Sequence, residues 1–159
     1  MTFVPSLWTE VGMTVMALHS GARPPWWDVW NAYGAAVIKL TFCLRRLPTL
    51  TRAEFQTYWR ETHAPLVASV ADTLNIRRYV QQHTVDDAIN DPIRASRGGP
   101  PSYDGVAELW WDSLESLGAP GQTEDGRAAG ATLLEDERRF IDLARSPLFF
   151  GEAFEVVSR

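Results

Sequence analysis

The chain has 159 residues, 45% of them hydrophobic, and a net charge of −5. This suits one domain with its own core, and the acidic balance argues against a nucleic-acid footprint. There is no apolar run of about 18 residues to span a membrane, and the one cysteine, Cys43, can form neither an internal disulfide nor a structural zinc site.

Residues 1–34 stand apart. They lack the basic start and compact apolar core of a signal peptide, so a cytoplasmic protein is expected. They hold Trp8, Trp26, Trp27 and Trp30, four of the seven tryptophans. So much aromatic area is costly to leave in water. Two readings are open: an arm packed on its own domain, or an arm crossing to a partner subunit. Residues 35–159 are read as the domain proper.

From Val37 the pattern becomes regular. In "VIKLTFCLRR", Ile38, Leu40, Phe42 and Leu44 share one face and Lys39, Thr41, Cys43 and Arg45 the other, as in a half-buried strand. Thr51 precedes Glu54 by three residues, a capping-box start for a helix. The apolar stripe that follows is read as Phe55, Trp59, Leu66, Val70 and Leu74. Pro65 lacks an N–H, so a kink or break is expected at Thr62–Ala64 with a restart at Pro65.

"NIRRYVQQH" is a second strand. A stretch without a clear period follows, residues 84–102. "YDGVAELWWDS" is a third strand, with Trp110 and Trp111 on opposite faces. A helix is expected over Ala128–Ala144, and "PLFFGEAFEVVS" is a fourth strand. The order β, α, β, β, α, β predicts an α+β, ferredoxin-like fold with a four-stranded antiparallel sheet. Helices on one face leave the other open. Large residues on both faces favour a homodimer formed sheet on sheet.

Four segments together carry a resemblance: "IKLTFCLRR", "TRAEFQTYWRETHAPLV", "RRYVQQH" and "YDGVAELWWDS". In this order they resemble the EthD family of the dimeric α/β-barrel superfamily, over roughly residues 37–157. The resemblance implies the fold more firmly than a reaction. Superfamily members include cyclases, isomerases, haem-degrading enzymes, cofactor-free monooxygenases and accessory proteins.

The chemistry-bearing candidates are His63, His83 and Tyr79. Histidine exchanges protons near neutral pH. His63 lies one turn beyond Trp59, and Tyr79 and His83 share a strand face with Gln81 between them. His63 also has bland readings, as a core residue or a helix cap. Substrate contacts are expected from Trp59, Gln81, Tyr103, Asp104, Glu108 and Trp110. Asp104, before Gly105, also suits a turn, and Glu108 also suits a pair with Arg45 or Arg78. No metal-ligand spacing or phosphate-binding glycine pattern is present, so no cofactor is expected; haem on one axial histidine has no second supporting signal.

The expected activity is cofactor-independent acid–base catalysis on a cyclic, aromatic or polyketide-like small molecule: a lyase or dehydratase, a cyclase or an isomerase. The alternatives are an oxidoreductase (a cofactor-free monooxygenase or an oxygenase accessory protein) and a non-catalytic binding or assembly module.

Overall fold

A computed structural model describes residues 37–85, 87–153 and 156. The tryptophan-rich arm lies outside the described residues. The elements are β1 (Ile38–Leu44), α1 (Arg52–Tyr58), a π-helical turn (Trp59–His63), α2 (Ala64–Val70), β2 (Arg78–His83), α3 (Asp87–Ala95), β3 (Gly105–Trp111), α4 (Leu114–Gly118), α5 (Glu124–Glu137) and β4 (Leu148–Glu152).

The four strands form one sheet in the order β2-β3-β1-β4, with every neighbouring pair antiparallel. This is the ferredoxin-like arrangement that the element order implied. Alternation along β1 is regular: Ile38, Leu40, Phe42 and Leu44 are all buried. Across the ladder they oppose Trp111, Leu109, Ala107 and Gly105, so these residues define the helix-facing side. Tyr79, Gln81 and His83 oppose Leu109, Ala107 and Gly105 from β2 and share that side. The open side carries Lys39, Thr41, Cys43, Arg78, Val80, Val106, Glu108, Trp110 and Phe149.

Thr51 and Glu54 form the expected capping box. Of the kink or break expected before Pro65, the break does not occur: the helix is perturbed into the π turn, and α2 follows with Pro65 in its first turn. Ala64 keeps helical angles (φ −61°, ψ −44°), and its N–H reaches back five residues to the Trp59 carbonyl. One extra residue in that turn carries the helix past the missing N–H and away from the clash a proline ring otherwise causes. The turn also moves the buried stripe. It runs Phe55, Trp59, His63, Val67 and Leu74, while Leu66 and Val70 are only half-buried. Asn75, with a left-handed φ of 55°, ends the helical stretch and turns the chain toward β2.

Two other boundaries differ from expectation. The last helix starts at Glu124, because the Thr123 hydroxyl accepts the Gly126 N–H, and ends at Glu137. Ile141 then leaves helical geometry to bridge Arg46, with the Asp142 N–H on the Arg45 carbonyl at 2.8 Å. The aperiodic stretch contains α3, tied to the domain by an Arg52–Asp87 pair at 2.9 Å.

Gly105 is where the helix layer comes closest to the sheet. A Cβ there would lie 2.5 Å from the Trp59 ring and 2.8 Å from the Gln82 carbonyl oxygen. Backbone cannot give way cheaply, so Gly105→Ala should lower stability by about 1–3 kcal/mol in urea unfolding. Gly151→Ala, with open space around the added carbon, should stay within about 0.5 kcal/mol.

A candidate acid–base site between the sheet and the helices

His63 is buried, and its position follows from the π turn. Its side chain makes no cap. Instead its Nδ1 meets Asp136 Oδ2 on α5 at 2.8 Å. The other oxygen of Asp136 accepts the Tyr58 hydroxyl at 2.7 Å. The Phe140 ring lies 5.1 Å from both the His63 and the Tyr58 rings. A carboxylate accepts only, so the shared proton sits on Nδ1 and the neutral ring presents an unprotonated Nε2.

A second group lies on β2. The Trp59 indole N–H donates to the Tyr79 hydroxyl at 2.8 Å. The Gln81 amide donates to the same hydroxyl at 3.0 Å and to the Trp59 carbonyl at 2.9 Å. His83 Nε2 sits 2.9 Å from Gln81 Oε1, and its ring packs on Trp59 at 4.6 Å. The two histidines do not touch. They stand at opposite ends of an aromatic chain that runs His83, Trp59, Phe55, Phe140, His63.

Burial pushes the Tyr79 phenol up to about 12, against the hydrogen bonds from Gln81 and Trp59 and helped by the charge of Glu137. It therefore stays protonated at neutral pH and acts as a hydrogen-bonding group. Burial, and then the charge of Asp136, push the Glu137 carboxyl up to about 7. Such a carboxyl can hold a proton near neutrality.

The structure brings His63, His83, Tyr79, Trp59 and Gln81 to one interlayer. It does not bring the other expected contacts there. Glu108 and Trp110 lie on the open side, because strand alternation puts them opposite Ala107 and Trp111. Glu108 pairs with Lys39 at 2.8 Å, in place of Arg45 or Arg78. Trp110 stands between Arg78 at 4.6 Å and Lys39 at 5.7 Å. Asp104 is buried, and its carboxylate is taken by the Arg46 N–H at 2.9 Å, the Arg46 guanidinium and Arg52 Nε at 3.4 Å. Tyr103 lies under the Arg45 guanidinium at 4.5 Å. Gln81 is also recast: all three of its amide bonds are made within the protein.

Sequence reasoning missed Asp136, Tyr58, Glu137 and Phe140. One signal was available. Ala129 and Leu133 form a buried stripe on the last helix that Phe140 continues in the turn after it, and Asp136 falls on that stripe with helical spacing. Among the described residues no group of three or more His, Cys, Asp or Glu side chains could hold a metal ion. No described helix is long and apolar enough to cross a membrane.

The geometry thus defines a ferredoxin-like α+β protein with ionisable groups buried between sheet and helices. The EthD domain family model matches residues 47–144, and the chain belongs to the EthD family. An EthD family protein from Bacillus halodurans is similar in structure, with 24% identity and a TM-score of 0.50 over 74% of this chain and 99% of that one. An EthD-like protein from Ralstonia eutropha matches at 18% identity and a TM-score of 0.50 over 78% and 96%. A dimeric ferredoxin-like protein of unknown function from Bacteroides fragilis matches at 8% identity and a TM-score of 0.48 over 74% and 96%. No curated protein matches the chain.

The site has a pH signature. Burial holds His63 below the usual histidine value of 6.5, against the pull of Asp136, and burial and then the Arg60 charge do the same for His83. The folded chain then binds fewer protons than the unfolded chain below 6.5, so this stability is present above that pH and lost as pH falls. Glu137 acts oppositely: its contribution is lost as pH rises from 4.5 to about 7. In Glu137→Gln only the histidine slope remains, and the urea midpoint should fall as pH is lowered from about 7 to about 5. Adding His63→Gln should make that slope shallower, leaving the His83 part.

Proposed function

We propose that this protein is a cofactor-independent acid–base enzyme acting on a cyclic, aromatic or polyketide-like small molecule. Asp136, bonded to His63 Nδ1 at 2.8 Å, is the observation that carries the reading. An aspartate on Nδ1 fixes the tautomer, orients the ring and stabilises the imidazolium that forms when Nε2 takes a proton. Nε2 is assigned the proton next to a substrate carbonyl. The Tyr79 hydroxyl supplies a hydrogen bond to the oxygen that gains charge. Dehydration, cyclisation and isomerisation all fit this step.

Deuterium uptake from D2O next to the carbonyl of a cyclic 1,3-diketone measures the step without knowledge of the natural substrate. His63→Ala should slow it about 100-fold or more, and Asp136→Asn should slow it with an altered pH profile. Unchanged exchange in both variants overturns the assignment. Oxygen uptake with a phenolic substrate would point to an oxygenase instead.

The working unit is proposed to be a homodimer with the open sheet faces packed together. Val80, Val106 and Trp110 lie half-buried on that face beside Phe149, which is 55% exposed. Light scattering should give twice the 17.9 kDa chain mass, and Phe149→Asp should give the single-chain mass.

A further inference from the structure

Gln81 decides which nitrogen of His83 carries the proton. Its Nε2 faces the Trp59 carbonyl at 2.9 Å. Turning the amide over would set oxygen against oxygen, so the orientation is fixed. Its Oε1 then faces His83 Nε2 at 2.9 Å, and an amide oxygen can only accept. The proton of a neutral His83 therefore sits on Nε2, and Nδ1 is a bare lone pair. This Nδ1 is buried and has no hydrogen-bond partner, alone among the buried side-chain nitrogens and oxygens of the described residues. Buried acceptors are normally satisfied, and an orphan calls for a functional explanation.

The surroundings narrow what can answer it. The ring lies on Trp59 and is only partly buried, whereas Nδ1 itself is covered, so a ligand reaches it at the ring edge once the covering groups move aside. Arg60 follows Trp59 in the π turn, and its charge adds to burial in holding His83 below the usual histidine value. Arg60 is exposed and makes one exposed pair, with Glu61 at 3.2 Å. The Arg60 charge disfavours an imidazolium but favours an oxyanion, so lone pair and cation together suit a donor whose oxygen becomes negative as its proton leaves.

We infer that His83 Nδ1 is a second proton-accepting centre, which takes the proton of an acidic ligand hydroxyl, a phenol or an enol, while Arg60 receives the resulting oxyanion. The O–H bond breaks, its electron pair stays on oxygen, and the proton passes to Nδ1. The products are an imidazolium and a phenolate or enolate, and no oxidant is required. Gln81 is the positioning residue for this centre. The inference rests on the acid–base reading above and deepens it: His63 works at carbon and His83 at oxygen, so the substrate is a hydroxylated ring or an enolisable diketone.

Nitrogen NMR of the histidine-labelled chain tests this without turnover, with phenol and anisole as probes and His83 assigned through His83→Gln. Free His83 should be protonated on Nε2 only. Phenol should shift the Nδ1 signal, and anisole, which lacks the hydroxyl, should not. Arg60→Gln should weaken the phenol response by about two- to fivefold, the scale of one exposed charge contact. Gln81→Met, if folded by circular dichroism, should mix the two tautomers, and Gln81→Glu should keep the Nε2–H form. A proton on Nδ1 in the free protein, or equal shifts from phenol and anisole, overturns the inference. The outcomes separate the two readings. Loss of the phenol response while His63→Ala still abolishes exchange removes only this inference. Retained exchange in His63→Ala and Asp136→Asn removes the earlier one, whatever the NMR shows.

Discussion

The site depends on the carbonyl oxygen of Trp59. In a regular helix it would accept one N–H four residues on. Here the π turn gives it the Ala64 N–H, five residues on, and Gln81 reaches from the sheet to share it. That contact clamps the helix to β2 at the level where Gly105 lets the Trp59 ring lie against the sheet. The clamp places Trp59 over the strands and turns His63 toward Asp136. A chain with a larger residue at 105 would hold these layers apart.

Two consequences follow from the clamp. His63 becomes part of the buried stripe, so its polarity needs a partner, and Asp136 answers from a helix that starts far along the chain. Tyr58 then completes the satisfaction of Asp136. A buried carboxylate with two donors is a low-cost arrangement, whereas a lone one would be strongly unfavourable. On the other side the Gln81 amide has all its bonds engaged, and this engagement fixes the His83 tautomer. The sheet and helix halves of the site are thus set by one shared hydrogen-bonding ring.

The opposite sheet face has a different character. Lys39 joins Glu108, and Trp110 lies between two cations. These contacts pair charge and aromatic area on a face that the helices leave uncovered. They also show why Glu108 and Trp110 do not meet the groups around His63 within one chain.

The sequence by itself determined the element order, the faces of β1, the capped start of α1, and the nomination of His63, Tyr79 and His83. These signals are local: period-two and period-3.6 burial and side-chain bonds three residues apart are written in neighbouring positions. Pro65 showed that the helix would be perturbed, but whether it breaks or gains a residue depends on what holds the turn, and Gln81 does so from another element. Asp136 stood on an apolar stripe and could have been flagged, yet its partner His63 is 73 positions away. Only the docking of α5 on the π turn joins them. The tertiary structure likewise decided that Asp104 holds arginines and that Gln81 positions His83, because a polar side chain's role is set by which donors and acceptors the fold places within about 3 Å of it.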